Sequence, residues 1–319
     1  MTVGSAETGT ASWRSPGGFG SVGLWTFALD AQPAGRVREA AAEVEELGWG
    51  ALWFGEGFGR DSVSQAWLLL SATRRLAVAS GIANITLRDP IALAGAERAL
   101  ADAFPGRYLL GLGGHRVDDT VRPLDGYPMP AKGHAIATLR AYLDAMDAVP
   151  AHGPPPVTPP RRVLAGLGPK MLALAAERTL GAHPYFVPVE HTRRAREVMG
   201  PDAFLAVEQA VVLDRDPGRA REVATAHVAG YLAAPHHLRN LRGLGFTDAD
   251  LAPGPSRRLV DAIVAYGDSD AVERRVRGHL AAGADHVCLQ VLTADPTALP
   301  LPEWRELAPA LVGVAAGRD

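Results

Sequence analysis

Two side chains in this sequence sit where proton transfer could be done: Glu56, which closes the run Trp53-Phe54-Gly55-Glu56, and His115, which closes Gly111-Leu112-Gly113-Gly114-His115. A carboxylate and an imidazole sharing one cleft can donate or accept protons during a reaction. For each taken singly, the plainer role is that of a hydrogen-bonded or solvated residue at a strand end. Two glycine-rich stretches accompany them, the one before His115 and Gly166-Leu167-Gly168-Pro169-Lys170, which opens directly into a helical segment. Glycine lets backbone approach a bulky ring or anion, and a helix start presents unpaired amide donors to phosphate. Neither stretch completes a standard nucleotide motif, because Arg116 and Met171 occupy the third glycine positions and no Walker lysine-serine pair follows. Each alone also reads as a tight strand-to-helix turn; together they point to a phosphorylated cofactor.

Other chemistries have little support. His236 and His237 are adjacent but not in a spacing that closes a zinc site, so no metal centre is expected and both are placed on a helix surface. No Gly-x-Ser-x-Gly elbow occurs, and Ser80 lies inside a strand-like run. Arg193-Arg194-Ala195-Arg196, Arg257-Arg258 and Arg274-Arg275 are expected to be solvated helix faces.

The elements that must position these residues form a regular alternation. Strand-like apolar runs cover 22–29, 51–54, 76–85, 108–112, 162–165, 185–189, 204–213 and 286–292. Between them lie alanine-rich helical stretches such as 35–47, 91–104, 169–180, 219–232 and 270–282. Eight such βα units predict an α/β fold, a (β/α)8 TIM barrel, whose reacting groups come from the C-terminal strand ends and the loops after them. Leu47-Gly48-Trp49-Gly50, Leu180-Gly181-Ala182-His183 and Ala282-Gly283-Ala284-Asp285 each read as a helix closed by glycine before a strand. Residues 1–20 are expected to be a flexible arm and 21–319 a single barrel domain. That domain carries a proline-rich connector at 148–161 and an insertion at 235–255, between strands seven and eight, placed to cap the site.

Composition sets the outer bounds. The 319 residues carry 32 Lys plus Arg against 35 Asp plus Glu, a net charge of −3 with no block of like charge, which argues against a nucleic-acid or polybasic membrane partner. No stretch nears the roughly 18 apolar residues of a membrane helix, and the opening residues lack a secretory pattern. Cys288 is the single cysteine, so no intramolecular disulfide forms, which fits a reducing compartment and a cytoplasmic location.

Taken together, several stretches resemble the luciferase-like monooxygenase superfamily and, within it, the branch that uses coenzyme F-420, a deazaflavin. The resemblance runs over about 22–311. It is carried by Glu46-Leu47-Gly48-Trp49-Gly50-Ala51-Leu52-Trp53-Phe54-Gly55-Glu56, Ser80-Gly81-Ile82-Ala83-Asn84-Ile85 and Pro105-Gly106-Arg107-Tyr108-Leu109-Leu110-Gly111-Leu112-Gly113-Gly114. Leu167-Gly168-Pro169-Lys170-Met171-Leu172, Gly181-Ala182-His183-Pro184-Tyr185 and Ala282-Gly283-Ala284-Asp285-His286-Val287-Cys288-Leu289-Gln290-Val291 continue it.

The resemblance implies a barrel whose third strand ends in a bulge, often with a non-proline cis peptide, against which the coenzyme's middle ring leans. Here the bulge would be Gly81, Ile82, Ala83 and Asn84. Gly113 and Gly114 would line the ring and ribityl chain, Gly166, Gly168, Pro169 and Lys170 would approach the tail phosphate, and Glu56 and His115 would fall near the reacting ring. The implied reaction is hydride transfer to or from a small organic substrate, with a homodimer as the expected assembly. Strand two ends in Glu56-Gly57, not in a carboxylate followed by histidine, and Val187-Pro188-Val189 carries no lysine, which argues against a phosphorylated sugar. The placeable mouth residues are mostly small or aromatic, including Trp25, Trp53 and Phe58, so the expected substrate is apolar. Two other readings stay open: a flavin mononucleotide (FMN) monooxygenase of the same superfamily using oxygen, and a non-catalytic protein that holds the coenzyme.

Overall fold

The structure, a computed structural model, describes residues 18–57, 59–114 and 135–314. His115 and Phe58 lie outside the described residues.

The chain builds β1 (Val22–Thr26), α1 (Ala34–Glu46), β2 (Ala51–Phe54), α2 (Ser62–Ser71), β3 (Ala77–Ser80), β4 (Ala83–Asn84), α3 (Pro90–Ala103), β5 (Tyr108–Gly113) and α4 (Ala135–Asp147). It continues through β6 (Arg162–Ala165), α5 (Pro169–Arg178), β7 (Gly181–His183), α6 (Val189–Met199), β8 (Phe204–Leu213) and α7 (Pro217–Tyr231). The last elements are α8 (Pro235–Gly243), α9 (Arg257–Ile263), β9 (Ala265–Gly267), α10 (Ser269–Ala281), β10 (His286–Val291) and α11 (Leu301–Leu311). Parallel pairing runs β10-β1-β2-β3-β5-β6-β7-β8, and β10 pairs back onto β8, so eight strands close a barrel. This is the (β/α)8 architecture that the alternation predicts. The short β9 pairs only with the end of β8 and stands outside the ring.

Side chains alternate across each strand because successive Cβ atoms point to opposite faces. Leu24, Leu52, Val78, Leu110, Leu164, Leu205 and Leu289 face the helices and join the main core. Trp25, Trp53, Ala79, Leu109, Val163, Phe204 and Cys288 point inward and fill the barrel with large residues set against small ones. A second core under the insertion joins Phe186 and Val212 to α7, Leu241, Phe246, Leu251 and Leu259.

Five expectations need correction. The sixth strand is Gly181–His183 and not 185–189, so Leu180-Gly181-Ala182-His183 is strand and not turn. A Cβ on Gly181 would lie 1.8 Å from the Phe204 carbonyl oxygen, so only glycine lets β7 pair this closely with β8. The run 76–85 is two strands, broken at Gly81 and Ile82. Phe19, inside the stretch expected to be a flexible arm, is fully buried at the N-terminal end of the barrel against Trp53, Phe204 and His286. His237 is buried beside Phe186 and Tyr231, not on the surface. Arg196 and Arg275 are not solvated either: Arg196 pairs with Asp285 at 2.6 Å, and Arg275 donates to the carbonyls of Ala262 and Asp261. At Gly48 and Gly283 the backbone takes the positive φ of a glycine-closed helix, as predicted.

Candidate active site

The C-terminal strand ends divide into two arcs. The first carries the bulge, where β3 stops at Ser80 and the chain resumes as β4 at Ala83, with a cis peptide between Gly81 and Ile82. The Ser80 hydroxyl donates to the Gly111 carbonyl at 3.0 Å and accepts from the Gly111 amide at 2.9 Å, which ties the break to β5. Ile82 then lies over β5: a Cβ on Gly113 would come within 2.9 Å of its side chain and of the Ala165 Cβ. The bare backbone at Gly113 is thus a seat for Ile82. Asn84 pairs with Gly113, and β6 follows β5, so Gly81–Asn84, Gly113–Gly114 and Gly166–Lys170 occupy adjacent strand ends.

Glu56 joins this arc in a different way from the one its position in sequence suggests. Its carboxylate is buried and accepts from the Ser62 amide at 2.8 Å, the Asn84 amide at 2.7 Å and both terminal nitrogens of Arg88. Burial works against the Arg88 charge, but the hydrogen bonds and field of Glu56 and Asp61 overcome it and hold the guanidinium above its ordinary pKa. A carboxylate so engaged clamps the far end of the bulge to α2. Both of its oxygens are engaged by the chain's own donors.

At the start of α5, Gly168 caps the helix, Pro169 opens it, and Gly168, Pro169 and Lys170 are exposed. A Cβ on Gly168 would meet nothing within 4 Å, so the approach to this helix start is open. The preceding turn is held by His191, whose Nε2 donates to the Leu167 carbonyl at 2.8 Å.

The second arc holds polar residues that the sequence argument did not single out. The His183 Nδ1 donates to the Ala206 carbonyl at 3.0 Å, leaving Nε2 as an acceptor without a partner. Burial is the main cause that lowers the His183 pKa to about 4, so the imidazole is neutral at physiological pH. The indole N–H of Trp25 is also buried and unpartnered. Both converge on the bulge: a Cβ on Gly81 would lie 2.5 Å from Trp25 Nε1 and 2.8 Å from His183 Nε2. Trp53 crosses the barrel to stack on His183, with ring centroids 4.5 Å apart, and donates to His286 Nε2 at 3.0 Å.

Glu208, in the middle of β8, gives one oxygen to the Phe186 amide at 2.9 Å and buries the other without a partner. Burial pushes this carboxyl up to about 8. Phe186 takes a positive φ of 58°, uncommon for a large side chain, and Glu208 pins that turn. Above it, the Tyr185 hydroxyl donates to Gln290 Oε1 at 2.7 Å and lies 2.6 Å from the Tyr231 hydroxyl. One signal for this arc was present in the sequence: Glu208 and Gln290 are polar residues inside otherwise apolar strand runs. An apolar strand keeps such a residue only where it finds a partner or faces a site.

The profile of the family described as luciferase-like monooxygenase matches residues 12–286. This chain belongs to that family. A curated relative from Mycobacterium tuberculosis, named provisionally as a coenzyme F-420-dependent oxidoreductase, is 27% identical over 177 residues. That match covers 54% of this chain and 46% of the relative, so the chain aligns with less than half of the relative's length. Among solved structures, an F-420-dependent secondary alcohol dehydrogenase in complex with an F-420-acetone adduct superposes with a TM-score of 0.70 at 15% identity, covering 94% of this chain and 99% of that one. The coenzyme F-420-dependent tetrahydromethanopterin reductase from Methanopyrus kandleri gives 0.66 at 16% identity, with 90% and 97% covered. At these identities the likeness shows that this luciferase-like family member shares their fold. No helix among the described residues is long and apolar enough to cross a membrane, and no group of three metal-binding side chains occurs among them.

Proposed function

We propose that this luciferase-like family member is an oxidoreductase that moves a hydride between coenzyme F-420 and a small, apolar organic substrate. The observation that carries the reading is the bulge at Gly81 and Ile82, seated on Gly113, with the unpartnered Trp25 N–H and His183 Nε2 converging on Gly81. The relative from Mycobacterium tuberculosis supports the choice of coenzyme.

When bound, the deazaflavin supplies a carbon-centred two-electron hydride carrier that reacts sluggishly with oxygen. The chain's own work is to place and shield. Gly81, Ile82, Ala83 and Asn84 would back the ring system, with Ile82 as the apolar support. Gly113 and Gly114 would flank it, and Gly166, Gly168, Pro169 and Lys170 would take the phosphorylated tail at the open start of α5. The neutral His183 offers an acceptor and Trp25 a donor to polar edges of a planar ring. Glu56 acts as a positioning residue, holding the bulge through the Asn84 amide.

Fluorescence titration of the purified apo protein, with coenzyme F-420 and FMN at identical salt, tests the coenzyme. Tight deazaflavin binding with weak flavin binding is the expected result. The reverse preference would make the oxygen-using monooxygenase the better account, and binding of neither would withdraw the cofactor assignment. The same reading includes a homodimer whose interface covers the exposed Trp67 and Ile91; a monomer mass by light scattering at tens of micromolar would remove it.

A further inference from the structure

Within the eight-strand ring, β8 stands four strands from β3 in either direction, so the bulge has β8 and its flanking strands β7 and β10 opposite it. Tyr185, just beyond β7, and Gln290, on β10, join over β8 through the 2.7 Å hydrogen bond. Tyr231, the last residue of α7, completes the group from outside the barrel. The Trp25 ring connects the two sides: it lies beside the bulge, its strand position pairs with Gln290, and its centroid is 5.2 Å from that of Tyr185.

One set of hydrogen-bond directions satisfies this group as the Gln290 amide is oriented. Gln290 Oε1 accepts from the Tyr185 hydroxyl, so Tyr231 is left to donate to the Tyr185 oxygen. Burial holds both phenols above their ordinary pKa, so both remain neutral donors. Accepting through Oε1 fixes the amide orientation and aims the Gln290 NH2 group elsewhere. That group makes no hydrogen bond to any described residue, and Gln290 retains 8% exposure. Its neighbours by strand pairing and by hydrogen bond are Trp25 and Tyr185, and neither side chain is a cation.

We infer that Gln290 is the specificity-determining donor of the site, and that the substrate it orients is a neutral molecule with a single carbonyl or hydroxyl oxygen, not a carboxylate or phosphate. This rests on the oxidoreductase reading and narrows its substrate class. One oriented amide N–H pair satisfies one neutral oxygen. An anion held there would be desolvated against two aromatic side chains, neither of which supplies a countercharge, which is strongly unfavourable. Tyr185 and Tyr231 are positioning residues, since they hold the amide and need not touch the substrate.

The test uses the full chain, with cyclohexanone and cyclohexanol as neutral probes and cyclohexanecarboxylate as the charged counterpart, binding being read by saturation-transfer NMR. The wild type is expected to bind the neutral probes and to bind the carboxylate at least about tenfold more weakly. Gln290→Met, which conserves volume but removes the donor, is expected to weaken neutral-probe binding by about three- to tenfold. Tyr185→Phe keeps the donor but unties it, so its loss is expected to be smaller. Coenzyme F-420 affinity is expected to stay at the wild-type value in both variants, which a general collapse of the mouth would not allow. Carboxylate binding equal to that of the ketone, no neutral binding, or a Gln290→Met variant that binds like wild type would each overturn the inference. Failure of the deazaflavin titration in the same preparations would instead withdraw the cofactor reading, so the two failures are separable.

Discussion

Glu208→Gln should make the protein more stable in alkaline solution. The folded carboxyl keeps its proton up to about pH 8, because burial disfavours its charged form. In the unfolded chain the same group releases its proton near the ordinary glutamate value. A folded pKa raised in this way gives a contribution that is complete below about pH 4.5 and is lost as pH rises through 8. A rise from 4.5 to about 8 corresponds to roughly 5 kcal/mol, reached only above the upper value. With 1% exposure, solvent screening discounts little of this. Glutamine keeps an oxygen for the Phe186 amide and puts an amide where the carboxylate would otherwise be charged and unpartnered. Urea unfolding at pH 5 and pH 9 checks it: the variant and wild type should nearly coincide at the lower pH and separate by several kcal/mol at the higher. Equal stabilities at pH 9 would mean that Glu208 is ionised and solvated in the folded state.

The second large effect runs in the opposite direction. Glu56→Ala removes the acceptor shared by the Ser62 amide, the Asn84 amide and Arg88. The Arg88 side chain is 11% exposed and that of Glu56 only 2%, so the cation is left partly desolvated, with Asp61 and the Asn84 carbonyl as its remaining partners. Breaking a buried pair by deleting one member costs about 3 to 5 kcal/mol, and two amides lose their acceptor as well. Because the Asn84 amide ends the bulge, coenzyme affinity should fall together with stability. Glu56→Gln should lie between, since it keeps one acceptor but faces Arg88 with an amide donor. Retention of full stability in Glu56→Ala, with loss of turnover alone, would return Glu56 to the proton-transfer role its strand-end position suggests.

The contrast between these two acids shows where a reading of the chain reaches its limit. Glu56 stands out because it ends an apolar run beside glycines, yet its carboxylate is occupied by groups 6, 28 and 32 residues away in sequence. Glu208 does not stand out, because a single acid in a ten-residue apolar strand can be a turn, an edge or a site. Its character comes from the absence of a partner for one oxygen, which depends on every neighbour at once.

The order of βα units, their number and the glycine closures at Gly48 and Gly283 were determined by the sequence alone, whereas the break of the third strand at Gly81 and Ile82 was not. The former follow from local physics: side-chain periodicity, the φ freedom of glycine and the missing proline N–H act over a few residues. Only the tertiary structure decided that β7 begins at Gly181, since that glycine matters for the approach of Phe204 from the next strand. It also decided that Phe19 fills the barrel, that Gly113 is bare to seat Ile82, and that Tyr185, Tyr231 and Gln290 form one hydrogen-bonded group. Those contacts depend on which strands become neighbours and on the stagger with which the ring closes. Alternation within one strand states which face a residue takes but not what it meets there.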